Sequence, residues 1–294
     1  MNGARFELDL GLVRRSFDRA ADAYDASAVL QAEVRQQLLA RLDYVTLEPA
    51  VVVDLGCGTG HATRALKERY PHAQVIGLDL SEAMLAAAGR RQSWRRRFAR
   101  VCGNAMTLPL RDASVDLVFS NLMLQWCPDL DAAFSEFRRI LRPRGLVNFA
   151  SFGPDTLVEL RAAWAEADGM THVNRFADMH DVGDGLVRAG LAEPVLDVER
   201  ITLTYPDVFG LMRDLKAIGA HNVNTGRARG LTGRGRLRTM QAAYERHRRD
   251  GRLPATYEVV FGQAWGPAGL ARRSRRSGEF TFDTAALGRR ERSQ

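Results

Sequence analysis

Short apolar runs alternate with segments of helical spacing along the middle of the chain. VVVDL (51–55) is a continuous aliphatic run that ends at a glycine, a pattern that predicts a strand buried on both faces. The same pattern recurs at QVIGLDL (74–80), ARVCGN (99–104), SVDLVFSN (114–121) and LVNFASF (146–152). This alternation predicts an α/β protein with a mostly parallel sheet and helices on both faces.

The pattern changes on either side of this middle region. Apolar residues at helical spacing over 17–42 predict one or two helices before the first strand, and helical segments outnumber strands after residue 153. The arginine-rich end of the chain has few apolar residues, a composition that allows disorder. We therefore divide the chain into N-terminal helices (1–45), a core (46–152), a helical lid with closing strands (153–267) and a basic tail (268–294).

Composition and charge narrow the class of protein. The 294 residues are 46% hydrophobic, enough for one sizeable core. No apolar run reaches the roughly 20 residues that span a bilayer, and the N-terminus lacks the pattern of an export signal, so we expect a cytoplasmic protein. The net charge is +7, and the stretches 90–100 and 225–240 contain no acidic residue, which favours an acidic partner.

The glycines of VVVDLGCGTG (51–60) point to a cofactor. Gly56, Gly58 and Gly60 are spaced G-x-G-x-G, whereas a dinucleotide-binding turn needs G-x-G-x-x-G and a P-loop ends in G-K-S/T. DLGCGTG (54–60) resembles motif I of the class I S-adenosylmethionine-dependent methyltransferases. The resemblance implies a Rossmann-like fold with a seven-stranded sheet, and S-adenosylmethionine as cofactor with its amino-acid end beside the glycine turn.

Three further positions agree with that resemblance. Asp79 ends the second predicted strand, where a carboxylate can accept hydrogen bonds from both ribose hydroxyls. The resemblance places Asn104 and Ala105 against the adenine, and Asn121 and Leu122 beside the reactive methyl. The cofactor-binding residues that we predict are Tyr24, Asp54, Gly56, Gly58, Gly60, Asp79, Asn104, Ala105, Asn121 and Leu122.

A narrower resemblance extends over residues 12–267. FDRAADAYDASAVLQ (17–31), HVNRF (172–176), DLKAIGAHN (214–222) and LPATYEVVFGQAW (253–265) are similar to the malonyl-acyl carrier protein O-methyltransferases of biotin synthesis. That resemblance implies methyl transfer to the free carboxylate of a malonyl thioester carried on acyl carrier protein or on CoA. The partner would then be an acidic carrier protein, and neither a nucleic acid nor a membrane.

Such a reaction needs no catalytic side chain. A malonyl carboxylate is ionised at pH 7, so it has to be desolvated and positioned rather than deprotonated, and we expect neither a triad nor a metal site. We predict that arginines within 225–240, with Arg138, Arg139 and Arg142, dock the acidic carrier. The candidate substrate contacts are Gln125, Trp126, His172, Arg175, His221 and Asn222, with Arg175 able to form a bidentate pair with the carboxylate.

Other functions share parts of these patterns. FGPDTL (152–157), DLKAIGAHN and LPATYEV are also similar to a complex I assembly factor that keeps this fold but hydroxylates arginine. A quinone or other small-molecule C-methyltransferase would share motif I and would need a base. SNLMLQW (120–126) differs from the N/D-P-P-Y/F element of base N-methyltransferases, and a cofactor-binding scaffold without activity remains a further alternative.

Overall fold

One seven-stranded sheet organises the chain, and the computed structural model describes residues 8–220 and 233–267. The strand order is β3-β2-β1-β4-β5-β7-β6; β7 is antiparallel to both of its neighbours, and the other four pairs are parallel. This confirms the predicted Rossmann-like, mostly parallel sheet. The strands are β1 (Val51–Leu55), β2 (Gln74–Asp79), β3 (Ala99–Cys102), β4 (Val115–Asn121), β5 (Leu141–Phe152), β6 (Ala192–Tyr205) and β7 (Leu253–Trp265).

Ten α-helices accompany the sheet within the described residues. None of them combines the length and the hydropathy that a membrane crossing requires. They are α1 (Leu10–Ala20), α2 (Tyr24–Ser27), α3 (Val29–Arg41), α4 (His61–Arg69), α5 (Glu82–Arg90), α6 (Leu130–Ile140), α7 (Val158–Ala167), α8 (Met179–Arg188), α9 (Val208–Ala217) and α10 (Arg234–Glu245). Short 3₁₀ turns cover Leu42–Tyr44 and Leu124–Trp126.

The hydrophobic core lies on both faces of the sheet. Successive side chains of a strand point to opposite faces, and in β1 Val52 packs in one cluster while Val53 packs in the other. Val34 of α3 belongs to the first cluster, and Phe134 of α6 to the second. The continuous apolar strands of the sequence are therefore explained by helices on both sides of the sheet.

The N-terminal helices differ from the prediction. The first begins at Leu10, upstream of the predicted start at residue 17, because the Asp9 carboxylate accepts a hydrogen bond from Leu12 N at 3.1 Å and caps the helix. The segment then breaks after Ala20, and α2 and α3 follow. Three helices therefore stand where one or two were predicted.

The helix before β5 is shorter than predicted. The helical spacing of LDAAFSEFRRILR (130–142) predicts a helix that runs to Arg142, but the helix ends at Ile140, and β5 begins at Leu141. Pro143 explains the difference, because proline disfavours a helical conformation at the preceding residue and has no N–H to continue a helix. The strand that we expected from residue 146 consequently starts five residues earlier.

The last two strands extend the sheet of the core. β7 pairs with β5 from Leu146↔Trp265 to Phe152↔Val259, and β6 pairs with the other edge of β7. Residues on both sides of position 152 thus contribute to one sheet. The domain boundaries drawn from the sequence remain predictions, and the basic tail lies outside the described residues.

Candidate active site

A deep cavity lies at the carboxyl ends of the parallel strands. It encloses about 1390 Å³, its open mouth included, and Gly56, Gly58, Asp79, Asn104 and Asn121 line it. These residues follow or end β1, β2, β3 and β4, and in open α/β sheets this edge is where ligands bind. The topology therefore brings together the polar positions that the sequence placed at strand ends.

The wall opposite these strands is apolar. Helix α1, the loop after β5, helix α7, segment 168–178 and helix α9 supply it. No lysine or arginine lines this cavity among the described residues. Its apolar lining includes Leu10, Val13, Phe17, Phe152, Leu157, Leu160, Val173, Phe176, Leu215 and Ile218.

The three glycines of the loop after β1 have different surroundings. Gly56 has φ +69°, and a Cβ there would lie 2.4 Å from Met123 Cγ, so only glycine fits. Gly58 has φ +52° and open space where a Cβ would stand, which leaves room for a ligand. Gly60 does not line this cavity; it precedes α4 with φ +84°, and a Cβ would lie 2.8 Å from Ala88 Cβ of α5. Gly60 thus allows helix packing, and Gly56 and Gly58 border the cavity.

Asp79 connects the glycine loop to the end of β2. Its Oδ2 accepts a hydrogen bond from Gly58 N at 2.9 Å, and its Oδ1 accepts one from Ser81 N at 2.8 Å. Burial raises the pKa of this carboxyl, and the two backbone N–H groups partly offset that rise. Each carboxylate oxygen keeps a further lone pair for a hydroxyl donor in the cavity.

Three more predicted cofactor contacts lie on the same wall. The Asn104 amide oxygen accepts a hydrogen bond from Met106 N at 3.0 Å and keeps a second lone pair; Ala105 lines the cavity beside it. Leu122 is buried with φ +53°, a backbone conformation that is costly for leucine and typical of functional sites.

The predicted aromatic residues form one corner of the cavity. Trp126 meets Phe17 edge-on with ring centroids 5.2 Å apart, and Tyr24 lies 6.5 Å from Phe17. Burial raises the pKa of the Tyr24 hydroxyl, which keeps it protonated and able to donate. Beside them, Gln125 is buried; its Nε2 donates to Leu122 O, and its Oε1 has no hydrogen-bond partner.

His172 is held within the lid. Its Nε2 lies 2.8 Å from Asp168 Oδ1, and its ring stacks on Trp164 with centroids 3.8 Å apart and planes 11° apart. Arg236 of α10 adds a charge contact to Asp168 at 3.5 Å. His172 also lines the cavity, so these contacts hold one edge of its ring toward the ligand space.

Neighbouring residues in the HVNRF segment differ in exposure. Asn174 is 8% exposed and lines the cavity, and its Oδ1 has no hydrogen-bond partner. Arg175 is exposed and does not line this cavity, so its contact with a substrate carboxylate stays a prediction. The two remaining candidates, His221 and Asn222, lie outside the described residues.

The predicted docking arginines near residue 140 lie at the end of the sheet away from the cavity. Arg142 Nη1 contacts both carboxylate oxygens of Asp116, at 2.9 and 2.8 Å, and Asp116 Oδ2 accepts hydrogen bonds from Ala50 N and Val51 N at the start of β1. Arg139 binds Glu136 and Asp112, each at 2.7 Å. Arg139 and Arg142 therefore neutralise local carboxylates near the amino ends of the strands, whereas the cavity opens at the carboxyl ends.

Asp54 lies in a second, smaller cavity that adjoins the first. Its side chain is 1% exposed; its Oδ2 accepts a hydrogen bond from Thr63 Oγ1, and its Oδ1 has no hydrogen-bond partner. Burial raises the pKa of this carboxyl from 3.8 to about 7, the Thr63 hydrogen bond opposes the rise, and Asp79 adds to it.

Asp54 is expected to make the stability of the cofactor-free protein depend on pH. Because its folded pKa exceeds its unfolded value, the protonated carboxyl stabilises the fold below about pH 4, and this contribution is lost as pH rises through about 7. Raising pH from 4 to 8 should cost the wild type up to about 4 kcal/mol relative to Asp54→Asn. Urea unfolding of both proteins at several pH values measures this, and a difference independent of pH would contradict it.

The polar groups of the two cavities fit the cofactor that the resemblance implies. The Asp79 carboxylate suits ribose hydroxyls, the Asn104 oxygen suits an adenine amine, and the space at Gly58 allows close approach of a ligand. Sequence reasoning missed Phe17, Gln31 and Asn174 as lining residues. Each stands in a segment that the resemblance covers, but the sequence around a residue does not show whether its side chain lines a cavity.

Comparison with known proteins agrees with these patterns. A family model described as a methyltransferase domain matches residues 53–149. A malonyl-acyl carrier protein O-methyltransferase of Methylovorus sp. (strain MP688) is 56% identical over 274 residues, which cover 91% of this chain and 92% of that protein. A protein of the same name from Halorhodospira halophila is 51% identical, and the match covers 97% of each chain.

Solved structures show the same fold. A proposed methyltransferase from Bacillus halodurans superposes with a TM-score of 0.57 at 19% identity, covering 79% of this chain and 98% of that one. This likeness concerns the fold alone.

Proposed function

The chain belongs to the malonyl-acyl carrier protein O-methyltransferases, and from that premise we propose that it methylates the free carboxylate of a malonyl thioester on acyl carrier protein. The observation that carries the proposal is 50–56% identity to several such relatives over most of the chain. The ester product would start pimeloyl formation in biotin synthesis. An arginine hydroxylase or a quinone methyltransferase is not favoured, since these relatives are named malonyl-acyl carrier protein O-methyltransferases.

S-adenosylmethionine is the methyl donor, and when bound it supplies a methyl group on a positively charged sulfur. We assign its ribose to Asp79, its adenine to Asn104 and Ala105, and its amino-acid end to the loop at Gly56 and Gly58. The geometry supports this order, because the residues follow one another along the carboxyl edge of the sheet.

The apolar cavity favours esterification of a carboxylate. The acceptor is already an anion at neutral pH, so the chain has no proton to remove. Burial among Leu160, Val173 and Phe176 strips water from that anion, which raises its reactivity. A lysine or arginine in contact with the carboxylate would stabilise the anion more than the neutral ester, and none lines the cavity among the described residues.

Neutral donors can hold the malonyl carboxylate instead. Asn174 is buried and lines the cavity on the lid side, where the Nδ2 group of its amide can donate to a carboxylate. The His172 ring is fixed nearby by Asp168 and Trp164. Gln125 and Trp126 lie after β4 on the facing wall. We assign the carboxylate to Asn174 and His172, and the wall of the reacting pocket to Gln125 and Trp126.

The bond that carries the transferred methyl distinguishes this reaction from the alternatives. We expect radioactivity from methyl-labelled S-adenosylmethionine to appear in an ester, which alkali hydrolyses to volatile methanol. Label that stays on the acceptor in alkali would indicate C- or N-methylation and would contradict the proposal.

The exposed arginines of α10 are expected to dock the carrier. Arg234, Arg236 and Arg238 are exposed, and Arg236 reaches Asp168, which holds the cavity residue His172. The double variant Arg234→Glu/Arg238→Glu should lower kcat/KM for malonyl-acyl carrier protein by about 10-fold at low salt, because charge complementarity speeds encounter. With malonyl-CoA, which brings no protein surface, the loss should stay within about 3-fold.

A matched pair of arginines in the other basic stretch serves as control. Arg95 and Arg97 are exposed and line neither the cavity nor its smaller neighbour. Arg95→Glu/Arg97→Glu makes the same change in net charge and should leave kcat/KM unchanged for both malonyl-acyl carrier protein and malonyl-CoA. An equal loss in the two double variants would show that net charge, and not the α10 surface, drives encounter.

A further inference from the structure

The smaller cavity shares part of its wall with the active site. Five residues line both spaces, and Arg35, Asp54 and His61 are among those that line only the smaller one. The shared residues are Tyr24, Gln31, Gly56, Gly58 and Asn121. The two spaces therefore meet at the glycine loop, where the amino-acid end of the cofactor is assigned.

Arg35 is a cation that forms no close ion pair in the described part of the chain, although the carboxylates of Asp25 and Asp54 line the same cavity. It is partly buried, and among the described residues it has no ion pair within 4.0 Å and no hydrogen bond. The other basic groups at this cavity have partners. Arg91 binds Asp25 and the carbonyl of Thr59, and His61, whose pKa is lowered by burial, lies 3.3 Å from Asp25. Burial lowers the pKa of the Arg35 guanidinium, and the more distant charges of Asp25 and Asp54 offset only part of that fall.

Two amide oxygens at the same junction lack donors. Gln31 Oε1 and Asn121 Oδ1 are buried and have no hydrogen-bond partner. The Asn121 nitrogen is already used, since Nδ2 donates to Gln31 O at 3.1 Å, so the oxygen is the end left for a ligand. Buried polar atoms without partners are rare in folded proteins and call for a ligand or water.

Helix α3 carries both Gln31 and Arg35. Gln31 and Arg35 are four residues apart, a spacing that puts both on one face of the helix. One offers an acceptor and the other a guanidinium, within cavities that meet at the glycine loop. A ligand that matches them carries an ammonium and a carboxylate on neighbouring atoms.

We propose that Gln31 and Arg35 bind the zwitterionic amino-acid end of S-adenosylmethionine. Gln31 Oε1 and Asn121 Oδ1 accept hydrogen bonds from its ammonium, and the Arg35 guanidinium donates to its carboxylate. Helix α3 is then a cofactor-binding element in addition to the glycine loop. The inference rests on the cofactor of the proposed function and not on the identity of the methyl acceptor.

Two ligands that differ only at the amino-acid end test this role. S-adenosylhomocysteine carries that end, and 5′-methylthioadenosine has the same adenosine and a thioether without it. Calorimetry on the full chain should show that Arg35→Met lowers affinity for S-adenosylhomocysteine by about 10- to 100-fold. Affinity for 5′-methylthioadenosine should change by less than about 2-fold. Gln31→Leu should give a smaller, equally selective loss, and Arg35→Lys should restore part of the affinity.

Matched controls come from the same helix and the next. Gln37 of α3 also leaves its oxygen without a partner but lines neither cavity, and Arg64 of α4 is exposed and pairs with Glu68. Gln37→Leu and Arg64→Met should leave both affinities unchanged. An unchanged affinity of Arg35→Met for S-adenosylhomocysteine, or an equal loss for both ligands, would overturn the inference. If Arg35→Met selectively lost affinity for S-adenosylhomocysteine but the wild-type protein methylated no malonyl thioester, the role of Arg35 would stand. Only the proposed methyl acceptor would then be contradicted.

Discussion

Asp79→Ala is expected to weaken binding of S-adenosylhomocysteine by about 100-fold or more, since two hydrogen bonds from ribose hydroxyls to a charged acceptor are lost together. The same substitution frees Gly58 N and Ser81 N, both of which donate to this carboxylate. The glycine loop therefore loses an anchor in addition to the ligand contact. Calorimetric titration of the purified variant measures the effect.

Asp116→Ala separates ligand binding from loop anchoring. Asp116 also accepts hydrogen bonds from two backbone N–H groups, those of Ala50 and Val51, but it lies at the opposite end of β1 and lines no cavity described here. The Asp116→Ala substitution should lower the free energy of unfolding while leaving the affinity for S-adenosylhomocysteine within about 3-fold of wild type. If Asp79→Ala and Asp116→Ala weakened binding of S-adenosylhomocysteine equally, Asp79 would only anchor the backbone and would not bind the ribose.

Asn174→Leu is expected to lower kcat/KM for a malonyl thioester by about 10- to 100-fold, because the substrate carboxylate loses its amide donor. Leucine has a similar volume and suits the apolar wall of the lid, so the fold should be preserved. Affinity for S-adenosylhomocysteine should remain unchanged, since Asn174 is assigned to the substrate side. Steady-state kinetics and calorimetry on one preparation give both quantities.

Arg175→Leu is the control that distinguishes two neighbouring residues. The arginine is exposed and does not line the active-site cavity, so its loss should change kcat/KM with malonyl-CoA by less than about 3-fold. A large loss in this variant with little effect of Asn174→Leu would restore the sequence prediction and contradict the assignment made from the structure.

The sequence predicted the sheet because its signals are local. Apolar continuity in VVVDL requires burial on both faces, and the glycines after it mark the strand end. The predicted ends of helices were wrong where a single residue overrides the spacing of apolar residues. Pro143 ends α6 before the predicted position, and the Asp9 cap starts α1 upstream of the apolar pattern that we used.

The residues of the candidate site also divide into those that the sequence could predict and those that it could not. Gly56, Gly58 and Asp79 are set by a motif and by a strand end, and both can be read along the chain. Asn174 and Arg175 stand side by side in HVNRF, and only tertiary packing decides which side chain is buried. The sequence favoured the arginine, because charge suggests a carboxylate partner, but it carries no information on exposure.

Pairing across the fold is equally invisible in sequence. Arg139 and Arg142 stand in an apparent basic cluster, yet Asp112, Glu136 and Asp116 neutralise them. Arg35 is the reverse case, a basic residue of α3 that packing leaves without a close ion pair among the described residues. Partners distant in sequence therefore decide which charges are available to a ligand.

The most direct test of the central claim is incubation of the purified full chain with methyl-labelled S-adenosylmethionine and malonyl-acyl carrier protein, with malonyl-CoA and acetyl-acyl carrier protein in parallel. We predict an alkali-labile methyl ester on a malonyl thioester, and none on the acetyl thioester, which has no free carboxylate. Absence of a methyl ester from both malonyl thioesters, in a preparation that binds S-adenosylhomocysteine, would contradict the account.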